Sequence, residues 1–262
     1  MSDMFQEASP RQLTNDDVYK VLRNEILKLK IQPGEALSEN YVASRFNISR
    51  TPVRSIFVRL ARDGLLDVHG RKGTFVSLID LDMAEQIIFM RIQAELAVMT
   101  YIAKHPDNML FKALRQNLEK QKNLLEADVD DEDFYRIDSQ FHGLCMSSLH
   151  KQKLWKMIQS MDVHYSRYRH LDYSAARSEN VFNTLFSEHS NLYECMIKGR
   201  MEEIRFVLTS HLYGGMLRIN TRLATEYHTF FTDSTRSIEE ILLDVKLTLN
   251  DALGSAAVLP VK

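Results

Sequence analysis

Only one stretch of this chain reads as β structure, and it is short. Leu65–Val68 and Thr74–Ser77 are β-prone runs around the basic tip His69-Gly70-Arg71-Lys72-Gly73, the pattern of a hairpin. Before and after it, apolar residues recur at helical spacing. The chain is therefore expected to be mainly α. A short N-terminal helical part runs into the hairpin, and a longer all-helical, antiparallel bundle follows it.

Three helices fit ahead of the hairpin. Thr14 and Asp17 read as an N-cap with an acid at N3. Val18, Val21, Leu22, Ile26 and Leu29 then follow at helical spacing until Pro33-Gly34 ends the run. Ser38 caps a second helix over 39–46, and Asn47 suits the left-handed turn that stops it. The third opens at Ser49-Arg50-Thr51-Pro52, with proline in the first turn. It turns Val53, Ile56, Phe57 and Leu60 inward and closes at Gly64. Three short helices and a hairpin make a winged helix-turn-helix, whose third helix enters the major groove of DNA.

Charge supports that expectation. The net charge is −2, yet between Asn40 and Phe75 seven Lys/Arg face two acids. A basic patch on an otherwise acidic protein is the footprint of a DNA-contacting module. Arg50 and Arg54 share one face of the third helix, and the arginine fork matches a guanine edge or a phosphate. Ser49 and Thr51 can donate to phosphates beside the helix N-terminus. His69, Gly70, Arg71 and Lys72 form the wing tip, suited to the DNA backbone or minor groove.

The segments Leu37-Ser38-Glu39, Ile48-Ser49-Arg50-Thr51-Pro52-Val53-Arg54, Arg59-Leu60, Asp63-Gly64-Leu65 and Arg71-Lys72-Gly73 closely resemble the DNA-binding domain of GntR-family regulators over residues 16–77. The resemblance implies DNA contacts at Ser49, Arg50, Thr51, Arg54, His69 and Gly70. It departs at Asn40, where the family often has an arginine that touches DNA. Asn40 can still hydrogen-bond, but it neutralises no phosphate. It departs again at Ser55, where many members have a glutamate.

Residues 78–81 read as a linker. Helical periodicity then runs over about 82–104, 107–127, 131–148, 151–173, 179–198 and 200–227, with an extra segment at 236–252. The expected division is a flexible tail over 1–15, the winged helix over 16–77, a helical domain over 82–233, and a further helix and tail over 234–262. No apolar run approaches the roughly 18 residues of a membrane span. The N-terminus lacks the basic start and apolar stretch of a signal peptide, so a cytoplasmic protein is expected. Cys145 and Cys195 lie in apolar helical patterns and read as free core thiols.

Asp138 and His142, at i and i+4, share a helix face beside Phe141 and Leu144. His189 and His211 are each flanked by apolar positions. Three imidazoles and a carboxylate converging in a bundle suit Zn, Ni or another borderline divalent ion. From the residues alone convergence stays open, because a buried histidine is more often a hydrogen-bonded structural group. Arg91 with Glu95, Asp138-x-x-x-His142, Glu188-His189 and His211-Leu212 look like the all-helical FCD effector domain of the FadR subfamily of GntR regulators, over about 80–233. That resemblance implies a divalent metal held by Asp138, His142, His189 and His211 and a small carboxylate effector; the six helices read from the periodicity, rather than seven, point to the family's shorter branch. Arg91 is a candidate effector clamp, holding a carboxylate bidentately; the alternative is an ion pair with Glu95. The resemblance does not explain the helix over 236–252, whose stripe of Ile238, Ile241, Leu242, Val245, Leu249 and Leu253 should dock somewhere. The function expected is a homodimeric regulator on double-stranded, palindromic operator DNA, with the effector changing DNA affinity. A metal-dependent enzyme and a regulator whose helical domain only dimerises are the alternatives.

Overall fold

A computed structural model of the chain describes residues 13–126, 131–161, 163–176, 181–223, 226–233 and 236–253. It divides into two compact units, residues 1–78 and 79–262. The expected tail lies outside the described residues over 1–12.

The first unit holds α1 (Asn15–Leu27), α2 (Glu39–Phe46), α3 (Arg50–Arg62), β1 (Leu66–His69) and β2 (Gly73–Val76). Thr14 and Asp17 form a capping box at α1. Ser38 accepts from the Tyr41 amide at α2, and Asn47 takes left-handed backbone where α2 ends. Val18, Leu22, Ile26, Val42, Val53, Ile56, Leu60, Leu65 and Val76 are buried. Each such side chain contributes about 1.5–3 kcal/mol of burial, and α3 packs on α1, α2 and β1. The strands are antiparallel, Leu66 opposite Val76 and His69 opposite Gly73. The chain after Pro33 does more than end α1: Gly34 and Leu37 donate to the carbonyls of Val76 and Thr74, and Val76 donates to that of Glu35. Residues 34–37 thus extend the wing's hydrogen-bonded ladder.

The second unit holds α4 (Leu81–Lys104), α5 (Asn108–Glu126), α6 (Asp131–Ser148), α7 (Gln152–Met161), α8 (Val163–Ala176), α9 (Val181–Ile197), α10 (Met201–Leu223) and α11 (Ile238–Leu253). Asp80 caps α4, its carboxylate accepting from the Met83 amide. α4 is central, packing on α6, α7, α8, α9, α10 and α11. The helix expected over 151–173 is described as two helical stretches, α7 and α8, on either side of residue 162. The two stretches are buried differently. α7 buries little beyond Ile158, whereas α8 buries Val163, Tyr165, Arg167, Tyr168, Arg169, Leu171 and Asp172. Met161, at the end of α7, is exposed. Both cysteines are free and buried.

α11 docks on α10 and α4, burying Ile241, Leu242, Val245 and Leu249. Ahead of it, the Ile79 amide donates to the Phe230 carbonyl and the Thr232 amide donates to the Ile79 carbonyl. Arg236 donates to Asp82, Glu85 and Asp244. The end of the chain is thereby tied to the start of α4.

Candidate metal centre and nucleic-acid interface

α6, α9 and α10 bring Asp138, His142, His189 and His211 together. One ligand atom from each lies within 4.8 Å of all the others, and all four residues are buried. The Nε2 atom of His142 lies 3.1 Å from Nε2 of His211 and 3.2 Å from Nε2 of His189. Asp138 Oδ1 is 3.7 Å from His189 Nε2.

The outer nitrogens decide what the inner ones can do. His142 Nδ1 meets Glu95 Oε2 at 2.5 Å, His189 Nδ1 meets Gln121 Oε1 at 2.9 Å, and His211 Nδ1 meets Glu188 Oε2 at 2.9 Å. Each partner is an acceptor, so each ring carries its proton on Nδ1 and turns an Nε2 lone pair inward. Burial lowers the pKa of His142, and that of His189 further with His211 alongside, which favours the neutral rings. Burial opposes ionisation of Asp138, but the Arg169 guanidinium outweighs it and holds the carboxyl below its ordinary range. Arg169 Nη2 donates to Asp138 Oδ2 at 2.8 Å, while Asp138 Oδ1 is buried without a hydrogen-bond partner. Three inward lone pairs and an orphaned carboxylate oxygen leave an electron-rich centre. A divalent ion would satisfy it: nitrogens sharing an ion at about 2.0–2.1 Å lie about 3–3.4 Å apart.

Arg91 lies beside this centre. Its Nε donates to Glu95 Oε1 and its Nη1 to the Tyr165 hydroxyl, both at 2.8 Å. Burial disfavours the Glu95 carboxylate, yet Arg91 and His142 hold its pKa below the usual value. Arg91 therefore reaches His142 through Glu95. A cavity of about 20 Å³ borders His211 and is lined by Tyr165, Tyr168, Arg169, Gly215 and Arg218 among others. The Tyr168 hydroxyl is buried without a hydrogen-bond partner. Arg218 Nη2 donates to Asp172 Oδ2 at 2.8 Å. A β-carbon at Gly215 would stand 2.6 Å from the Tyr168 oxygen, so glycine is what lets α8 and α10 meet there. The run His164-Tyr165-Ser166-Arg167-Tyr168-Arg169-His170 puts several polar groups on one helix, and its sequence does not tell which of them line the cavity; Tyr165, Tyr168 and Arg169 do. Helical spacing does not single out Asn117 and Gln121, because it shows a face and not what that face meets.

On the first unit Asn40, Ser49, Arg50, Thr51, Arg54, His69, Gly70, Arg71 and Lys72 are all exposed. Asn40, Arg50, Arg54 and Lys72 line one cleft of about 460 Å³ between α2, α3 and the wing. Ser49 makes no side-chain cap hydrogen bond, so its hydroxyl leaves the α3 N-terminal amides uncapped. Glu39 accepts from Arg50 and Arg54.

Residues 14–76 match the model of the bacterial regulatory proteins, gntR family, and residues 86–214 that of the FCD domain. The chain is 33% identical over 198 residues to an HTH-type transcriptional regulator in unstable DNA locus of Streptomyces ambofaciens, covering 75% of this chain and 80% of that one. It is 29% identical over 206 residues to the HTH-type transcriptional repressor RspR of Escherichia coli (strain K12), covering 79% and 89%. The solved structure of E. coli McbR/YncC superposes with a TM-score of 0.62 at 19% identity, over 79% of this chain and 97% of that one; this likeness concerns the fold. Among the described residues no helix is long and apolar enough to cross a membrane. With an exposed face of basic residues on one unit and a buried polar centre in the other, the chain is a DNA-binding transcriptional regulator and belongs to the GntR family, in the branch that carries an FCD domain.

Proposed function

We propose that this regulator is a homodimer on a palindromic operator, and that it senses a small carboxylate at a divalent metal held by Asp138, His142, His189 and His211. The observation that carries this is the convergence of three neutral Nε2 lone pairs on a carboxylate oxygen with no hydrogen-bond partner. The donor set of imidazole and carboxylate suits Zn or Ni. When bound, the ion acts as a Lewis acid that takes carboxylate oxygens.

The chain's own residues supply the rest. Arg169 neutralises Asp138, and Glu95, Gln121 and Glu188 orient the three rings. Arg91 holds Glu95 and Tyr165 in place, which sets the wall beside the ligand. Tyr168 and Arg218 border the cavity and offer donors to an acid. The cavity now holds about 20 Å³, room for about one water. A carboxylate therefore enters only as α8 and α10 move apart, which makes ligand binding a conformational event able to bias DNA affinity. In the first unit Asn40, Ser49, Arg50, Thr51, Arg54, His69, Gly70, Arg71 and Lys72 form the DNA face, with the α3 N-terminus on a phosphate.

The test is metal analysis of protein purified without a nickel column, together with operator binding titrated with small dicarboxylates and sugar acids. Stoichiometric metal and a shift in operator affinity with one acid class are expected. Metal-free protein with unchanged DNA binding throughout the series would remove the sensing role. Turnover of any of those acids would favour the metal-dependent enzyme instead.

A further inference from the structure

α5 contributes no residue to the four-residue cluster, yet it carries two buried amides, Asn117 and Gln121, one helical turn apart. They form a continuous path between two residues of the centre. Asn117 Nδ2 donates to the backbone carbonyl of Ile137 at 3.0 Å. Gln121 Nε2 donates to Asn117 Oδ1 at 2.7 Å. Gln121 Oε1 faces His189 Nδ1 at 2.9 Å.

The direction of every bond in this path follows from its first member. A backbone carbonyl only accepts, so Asn117 must turn its amino group to Ile137. That leaves the Asn117 oxygen toward Gln121, which must donate. That in turn leaves the Gln121 oxygen toward His189, whose Nδ1 must carry the proton. The Nε2 lone pair is thereby fixed toward Asp138 and His142. The carbonyl at the start belongs to the residue before Asp138, so one relay links the backbone beside one ligand to the ring of another.

The relay also sets charge. His142 and His211 lean on the carboxylates Glu95 and Glu188, whereas His189 leans on a neutral amide. A carboxylate partner would add a further negative charge in the same buried volume, where unpaired charge is costly.

We infer that Asn117 and Gln121 are positioning residues for the metal centre, an amide relay that holds His189 as the Nδ1-protonated, neutral ligand. The relay rests on the metal reading above for its function but not for its geometry. The experiment compares full-length wild type with Gln121→Leu, Gln121→Glu and Asn117→Leu. It measures Zn and Ni affinity by chelator competition, the melting temperature of the metal-free protein, and the His189 tautomer by nitrogen NMR of that same form. Gln121→Leu should weaken metal binding about 10–100-fold, the range for removing an outer partner of a ligating histidine. Gln121→Glu keeps the acceptor toward His189 but loses the donor to Asn117 and adds a buried charge, so it should weaken metal binding less than Gln121→Leu while the metal-free protein melts below wild type. Asn117→Leu should lower affinity in the same direction but less.

A purely packing role predicts instead that the leucine variants change the melting temperature and not the metal affinity. That result, or a loss in Gln121→Glu as large as in Gln121→Leu, overturns the relay. If Gln121→Leu does not fold, the wild-type tautomer decides: a proton on His189 Nδ1 supports the relay and one on Nε2 overturns it. If wild type binds no metal at all, the metal reading falls, and the tautomer still tests the relay by itself.

Discussion

Arg54 Nε donates to Glu39 Oε2 at 3.0 Å, which lays an arginine of α3 against the first turn of α2. Both side chains remain open to solvent, at 64% and 28% exposure. A surface ion pair of this kind contributes about 0–1 kcal/mol. It orients the guanidinium without locking it, and DNA can displace it. Arg54→Ala should therefore weaken operator binding by about 1–3 kcal/mol with an unchanged helical spectrum. Arg54→Lys should recover only part, because an ammonium lacks the fork. Normal binding by the alanine variant in a gel shift at moderate salt would show that α3 is oriented otherwise.

At the wing, the Lys72 amide closes the tip by donating to the His69 carbonyl, and the Arg71 and Lys72 side chains are exposed. Replacing either with alanine should lower affinity about equally for operator and random DNA. The salt dependence should also flatten by about one counterion per residue. A variant with altered sequence preference and an unchanged salt slope would mean base contact instead.

Asp138 and His211 should fail differently. His211→Ala removes one lone pair, so metal content should fall and the melting temperature should drop to that of metal-free protein. Asp138→Ala also takes a carboxylate partner from the buried Arg169 guanidinium, and breaking a buried pair costs about 3–5 kcal/mol. Asp138→Ala should therefore melt lower than His211→Ala even with metal stripped from both. Operator binding without effector should survive in His211→Ala, since the first unit has its own core. Full metal occupancy in both variants would end the ligand assignment.

Burial raises the Cys145 thiol above the ordinary thiol range, with Glu95 adding to the effect. In the unfolded chain the thiol ionises near about 8.5. The folded state, which keeps it protonated, thus has this contribution below that pH and loses it as pH rises above it. Native protein should resist alkylation at Cys145 at alkaline pH and react on adding denaturant. Cys145→Ala should lose less stability than wild type above that pH. Rapid native labelling would show that the α6 core opens locally.

The first unit was legible almost residue by residue because its signals are local. Caps at Thr14 and Ser38, the left-handed Asn47 and the Pro52 first turn each act within a few positions. The ladder from residues 34–37 to β2 was not legible, since backbone pairing leaves no mark on side-chain identity. In the second unit Asp138 and His142 share a turn, so their common face could be read. Their meeting with His189 and His211 depends on how α6, α9 and α10 pack, which only the resemblance supplied. The outer partners Gln121, Asn117 and Arg169 lay beyond both, for their roles exist only once α5 and α8 are in place.

The pairing of Ile79 with the backbone around Phe230 also sets an order of assembly. Every partner of the first unit's core lies at or before Leu78, so that unit can fold while synthesis continues. The opening turn of α4 must wait for residues about 150 positions further along: the carbonyl of Phe230, the amide of Thr232 and the guanidinium of Arg236. A nascent chain therefore completes its first unit well before its helical bundle is closed. A polypeptide released ahead of Phe230 would keep that unit and lack the tether that completes the second.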